Sequence, residues 1–216
     1  MAAISGRIRI DTGRLVMVPV AATLLVLDLA ALTHGGGHGG GGFWRWLGAV
    51  PACAFYALTI WCYLRRGPAV ATSGSVTAHV AAVAATLAPF VFPLLPAAPG
   101  VTHWRFAADL LLLAGTGWAV WSLRFLGRNL SVIAQARDVV DQGPYRWVRH
   151  PLYAGEVVSS LGLAVAAHSL AAAAVWLALC ALQVYRALRE EEVLLAALPG
   201  YRGYRSRTAA ILPGVF

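Results

Sequence analysis

The sequence predicts an all-α integral membrane protein, a bundle of five or six transmembrane helices. Three observations carry that expectation. Hydrophobic residues make up 59% of the 216 residues and charged residues only 12%, against about 45–50% and about 25% in soluble domains. Mean hydropathy is +0.69. All 17 basic residues are arginine, and they fall between long apolar runs. So few charges cannot cover a soluble domain, and the same apolar content excludes intrinsic disorder. A net charge of +8 distributed this way reads as membrane topology rather than a basic nucleic-acid footprint, so no nucleic-acid partner is expected. The length suits one membrane domain over residues 1–216. Cys53, Cys62 and Cys180 lie inside apolar runs without metal-type spacing and read as small core residues.

The first helix is expected from about Leu15 to Thr33, after Arg7, Arg9 and Arg14 and interrupted only by Asp28. It is longer than the roughly 7–15 apolar residues of a signal peptide. His34 to Phe43 is rich in glycine and reads as a flexible loop. His34 and His38 have no fixed backbone there to present a metal. A second span runs from about Trp44 to Leu64 and ends at Arg65, Arg66, Gly67 and Pro68. A third runs from about Thr77 to Leu95, ended by a proline-rich stretch, and a fourth from Trp104 to Leu126. These four helices make up the N-terminal part, 1–126. After a polar stretch from Gly127 to His150, the chain is apolar from Pro151 to about Tyr185, with His168-Ser169 in the middle. That length suits a hairpin of two short helices, since one span needs about 20 residues. A charged tail from Arg186 closes the chain.

The positive-inside rule then places both termini in the cytoplasm. Only Arg45 and Arg105 fall outside in that orientation. The polar stretch and the tail share the cytoplasmic side, as in a bacterial-type inner membrane protein.

Two constellations carry chemistry. The first lies in ARDVVDQGPYRWVRHPLYAGE, from Ala136 to Glu156. Gly143-Pro144 marks a turn. His150 is biased to an extended conformation by Pro151, which suits the first position of a helix. That helix N-terminus, with Arg149 and His150 beside it, can receive an anion. Tyr153 and Glu156 share a helix face. A ligand with a carboxylate, a cation and hydroxyls suits this set, and S-adenosylmethionine (SAM) has all three, its cation against Tyr145 or Tyr153. The plain alternative is an interfacial segment, since Arg, Trp and Tyr gather at bilayer surfaces. The second constellation is RALREEEVLLAALPGYRGY, from Arg186 to Tyr204. Arg186 and Glu190 lie four apart on one face. Glu190 or Glu191 can bind ligand hydroxyls or an amine, with Tyr201 and Tyr204 packed over the site; a solvated helix end with local ion pairs is the alternative.

These residues, from Phe125 onward, resemble the isoprenylcysteine carboxyl methyltransferase family, and more loosely the phospholipid N-methyltransferases. The resemblance rests on GPYRWVRHPLYAGE, the paired glutamates and YxxY. It implies a cytoplasm-facing SAM pocket built by the C-terminal half, 127–216. It implies cofactor contacts from Gln135, Arg137, Asp138, Val139, Val140, Tyr145, His150, Pro151, Leu152, Tyr153 and Glu190, and a substrate contact from Arg186. Starting the glutamate motif at Glu191 instead would put Ala187 at the arginine position; the Glu190 register keeps the arginine. Leu198-Pro199-Gly200 departs from the family's Phe-Gly before the tyrosines.

The resemblance further implies methyl transfer to a lipidic or prenylated acceptor, a carboxylate by the isoprenylcysteine precedent. Displacement at a sulfonium methyl needs mainly positioning, so neither a catalytic nucleophile nor a metal is expected. Arg186 would orient an anionic head, with Arg149 a second candidate, and Trp118, Trp121 and Phe125 are candidates for the lipid side. Two other readings compete: a membrane sterol or enone reductase using a nicotinamide cofactor, which has Asn where this chain has Leu152, and a scaffold without turnover.

Overall fold

The computed structural model describes residues 11–33, 42–96 and 104–211. Arg7, Arg9, His34, His38 and the last five residues of the tail lie outside the described residues. Helix α1 spans Thr12–Thr33 and α2 spans Gly42–Arg65. α3 covers Val76–Leu87, α4 Arg105–Leu126, α5 Pro151–Ala167, α6 Leu170–Ala197 and the short α7 Tyr201–Arg205. Among the described residues, four stretches are long and apolar enough to cross a membrane: Gly13–Thr33, Val76–Leu94, Arg105–Asn129 and Leu170–Ala197. α2, at 24 residues, reaches about 36 Å. The helices pack in the spatial sequence α1, α2, α4, α5, α6, α3, so α5 and α6 sit between the N-terminal pair and α3.

The sequence expectations hold for the all-helical membrane architecture and differ in three details. The third span stops being α-helical at Leu87 and continues as a 3-10 helix, Ala88–Leu94. Pro89 and Pro93 explain this: each lacks an N–H and crowds the carbonyl one turn back. The hairpin after Pro151 is unequal. α5 has 17 residues, but α6 has 28, because it runs straight through the charged stretch to Ala197 rather than ending near Arg186. Finally, a short antiparallel pair links β1, Ala71–Thr72, with β2, Gln135–Ala136. It ties the loop after α2 to the polar stretch before α5, a long-range contact with no local signal.

The turn between α5 and α6 is built by His168 in the left-handed region, φ 45°. Ser169 then caps α6, its hydroxyl accepting from the Ala172 amide. α4 and α5 approach so closely that glycine is required. A Cβ on Gly115 would stand 2.3 Å from the Ser159 amide nitrogen, and one on Gly155 would stand 2.8 Å from the Gly115 carbonyl oxygen. This backbone-to-backbone packing is the small-residue solution to helix association in membranes. Half-buried Asp28 lies on α1, exposed Asp109 on α4, and all three cysteines are free thiols.

At the other end of the N-terminal pair, Arg66 is buried and pairs with Asp11. It lies over the Tyr63 ring at 4.2 Å, and Arg14 donates to the carbonyls of Tyr63 and Arg66 at 2.9 and 2.8 Å. The hydrogen bond from Arg66 holds the Asp11 carboxyl below its ordinary value of 3.8. A carboxyl depressed in the folded state contributes stability that is present above its unfolded pKa and lost as pH falls through the folded one. The melting-temperature gap between wild type and Asp11→Asn is therefore expected to be open at pH 7 and to close progressively as pH falls below about 3.8. A gap unchanged down to pH 2 would deny the pairing.

Candidate functional site

The site is assembled where the start of α5 meets the charged third of α6. The turn before α5 needs glycine twice over. Gly143 has φ 57°, and a Cβ there would stand 2.5 Å from the Phe125 ring. Pro144 opens a 3-10 turn, Gly143–Arg146, and Pro151 opens α5. Tyr145 is buried in that turn, its carbonyl accepting from the Tyr204 hydroxyl at 2.7 Å. Burial raises the Tyr204 phenol above its ordinary range, which keeps it a donor. Trp118 on α4 donates to the Pro151 carbonyl at 2.9 Å and packs edge-on against Trp121, fixing the first turn of α5.

Two neighbouring glutamates on α6 take different parts. Glu191 is buried and accepts from Arg149 Nε at 2.7 Å. Arg205 Nε lies 3.1 Å from its second oxygen. His150 Nε2 is 3.3 Å from Glu191 Oε1. Arg149 also donates to the carbonyls of Arg205 and Thr208. The tail is thus strapped across the start of α5, where the Arg149 and His150 amides donate to Ala209 and Ala210 carbonyls at 2.8 and 2.9 Å. Arg149 is therefore spent on internal contacts and does not serve as the anion donor that its place before Pro151 suggested.

Glu190, by contrast, lines a cleft. It accepts from the Tyr153 hydroxyl at 2.7 Å, and His150 Nδ1 lies 3.9 Å away. Both contacts use Oε2, so Oε1 can accept from a ligand. The rings of His150 and Tyr153 stack in parallel, 5.3 Å between centroids. The cleft is narrow and partly open to solvent, lined by Ala78 and Ala82 of α3, Val132, Ala134, Tyr153, and Arg186, Arg189 and Glu190 of α6. Arg186 crosses the Tyr153 ring at 4.6 Å, the place expected for a ligand cation. It donates to Gln183 Oε1 and to the Val132 carbonyl, both at 3.1 Å. Its Nε is buried with no partner.

The residues expected at the site thus fall into three groups. His150, Tyr153, Glu190 and Arg186 converge, Pro151 and Tyr145 are buried in the same stretch, and Leu152 turns into the core against Cys62, Tyr63 and Leu123. Gln135 and Arg137 lie on the neighbouring segment, bonded to each other at 2.8 Å, with Arg137 also donating to the Gly67 carbonyl. Arg137 Nη1 is buried and unpartnered. Asp138 is exposed and pairs with Arg128, and Val139 and Val140 are half-buried; none of the three lines the cleft. The α3 wall and Gln183 were not anticipated from sequence. Ala78 and Ala82 do recur at helical spacing, but such an alanine pattern marks any packed helix. Trp121 and Phe125 pack against each other and Trp147 rather than lining the cleft. Among the described residues, no three His, Cys, Asp or Glu side chains gather as a metal site.

The chain is similar to known proteins in sequence and in fold. Residues 104–198 match the phospholipid methyltransferase family. The chain is similar to the cobalt-zinc-cadmium resistance protein CzcN of Cupriavidus metallidurans, 40% identical over 119 residues, covering 53% of this chain and 55% of the relative. It is also similar to the nickel-cobalt-cadmium resistance protein NccN of Alcaligenes xylosoxydans xylosoxydans, 27% identical over 133 residues, covering 51% and 62%. The chain thus spans little more than half the length of these curated relatives. The solved structure of the eukaryotic intramembrane Ras methyltransferase ICMT (isoprenylcysteine carboxyl methyltransferase) shares its fold. That match has a TM-score of 0.56 at 20% identity and covers 91% of this chain and 74% of that one. The match to the phospholipid methyltransferase family thus lies across α4, α5 and α6, and the fold is shared with ICMT along most of the chain's length.

Proposed function

We propose that this protein transfers a methyl group from SAM to a lipidic acceptor at the cytoplasmic side of the bacterial inner membrane. The observation that carries the reading is the convergence of Glu190, Tyr153 and Arg186 on one cleft between α3, α5 and α6, with His150 stacked behind Tyr153. The residues suit SAM. The Glu190 carboxylate can accept from hydroxyls or an amino group, and Arg137 Nη1, on the neighbouring segment, is an unpartnered donor. When bound, SAM supplies a methyl group on a sulfonium that leaves as a neutral thioether. The chain's own contribution is positioning. Tyr153 fixes Glu190, the Glu191 contacts fix His150, and Arg186 stands at the acceptor side. The α3–α6 cleft gives the acceptor's apolar part a wall of alanines, Ala78 and Ala82. This moves the lipid side from α4, where the tryptophans suggested it, to α3.

The test is transfer of labelled methyl from SAM to lipids extracted from membranes, using purified protein in nanodiscs. Label should enter the lipid fraction with wild type and fall at least about a hundredfold with Glu190→Ala. Equal labelling by wild type and variant would overturn the assignment of the site.

A further inference from the structure

The charge partners of Arg186 extend the proposed function to the kind of acceptor head the cleft prefers, and the inference rests on that reading. Of the two cleft-lining cations, Arg186 is buried among protein groups, whereas Arg189 is half-buried and paired with Glu192 at 2.9 Å. Glu156, on α5, places Oε2 3.9 Å from Arg186 Nη1. Gln183, almost wholly buried, bridges the two. Its amide nitrogen donates to Glu156 Oε2 at 2.5 Å, and its carbonyl oxygen accepts from Arg186 Nη1. Nη2 is held by the Val132 carbonyl. The guanidinium is therefore locked in place and its charge already offset, and Glu190 adds a second negative charge on the cleft wall.

A carboxylate entering this cleft would meet a cation already partnered by Glu156 from behind and the Glu190 carboxylate on the cleft wall, and a buried charge without compensation is strongly disfavoured. A neutral head needs only a single hydrogen-bond donor, and the buried Arg186 Nε is such a donor without a partner. We propose that Glu156 is a specificity-determining residue: together with Gln183 it neutralises and orients Arg186, so that the cleft selects an acceptor with an uncharged polar head over a carboxylate. Methylation of such a head forms a bond from its lone pair to the methyl carbon. The carbon–sulfur pair leaves on sulfur, and the head-group proton is released to water at the cleft mouth.

The test is binding of two probes of equal chain length and similar head size, the charged dodecanoate and the neutral dodecanamide, to the full chain in nanodiscs. Binding is followed by tryptophan fluorescence, with and without S-adenosylhomocysteine. Wild type should prefer the amide. Glu156→Gln, which keeps size and hydrogen bonding, should shift the preference toward the carboxylate by at least about tenfold, the lower range for a close charge pair. Gln183→Leu serves as a structural control: it removes the bridge, leaves both charges, and should lower stability with a smaller shift in preference. Tighter binding of dodecanoate to wild type, an unchanged ratio in Glu156→Gln, or binding of neither probe would overturn the inference. Charge discrimination without any S-adenosylhomocysteine binding would uphold the inference and overturn only the methyltransferase reading.

Discussion

Glu191→Ala is expected to destabilise the protein by about 3–5 kcal/mol, the cost of leaving a buried cation without its partner. Arg149 and Glu191 have only 5% and 6% of their side chains exposed. Losing the carboxylate leaves the Arg149 guanidinium buried and also releases Arg205 and His150. The neighbouring replacement Glu190→Gln should behave differently. Glu190 is 29% exposed, glutamine can still accept from Tyr153, and the loss should stay near 1 kcal/mol while ligand binding weakens. Chemical denaturation in mixed micelles, run beside S-adenosylhomocysteine binding, separates the two roles. Equal losses of stability from both substitutions would contradict the division of labour between the glutamates.

Gly115→Ala should be the second severe change, although alanine is normally the better helix former by about 1 kcal/mol. Its methyl group would have to occupy space 2.3 Å from the Ser159 nitrogen and 2.7 Å from the Gly155 oxygen. These are backbone atoms of α5 and cannot rotate away. α5 must move outward, at a cost of about 1–3 kcal/mol for overpacking, and it carries Tyr153 and Glu156 with it. Gly117 on the same helix is the internal control, since a Cβ there meets nothing within 4 Å. Gly117→Ala should be neutral or stabilising. Thermal unfolding of the two variants checks this, and a neutral Gly115→Ala would mean that α4 and α5 do not touch as described.

What could be read from the sequence was what local chemistry decides. Apolar runs located the helices, Gly143-Pro144 the turn, Pro151 the start of α5, and the RHPLY run the candidate site at that start. What could not be read depends on how α5 and α6 are rotated against each other. Three consecutive glutamates point about 100° apart around a helix, and only packing against α5 decides which meets Arg149 and which meets Tyr153. The same rotation brings Gln183 between Glu156 and Arg186, partners separated by 27 and 3 residues. Arg149 and His150 are adjacent in sequence, yet the tail's return to the start of α5 draws one into structure and leaves the other beside Tyr153. The α3 wall is contributed from more than fifty residues upstream of β2, and nothing within α3 announces it.

The most direct test of the central claim is calorimetric binding of SAM and S-adenosylhomocysteine to the purified full chain, beside His150→Ala and Glu190→Ala variants shown to be folded. The account predicts micromolar binding by wild type, lost or severely weakened in both variants, and no binding of NADPH. A folded wild type that binds neither SAM nor S-adenosylhomocysteine, or that binds NADPH in their place, would contradict it.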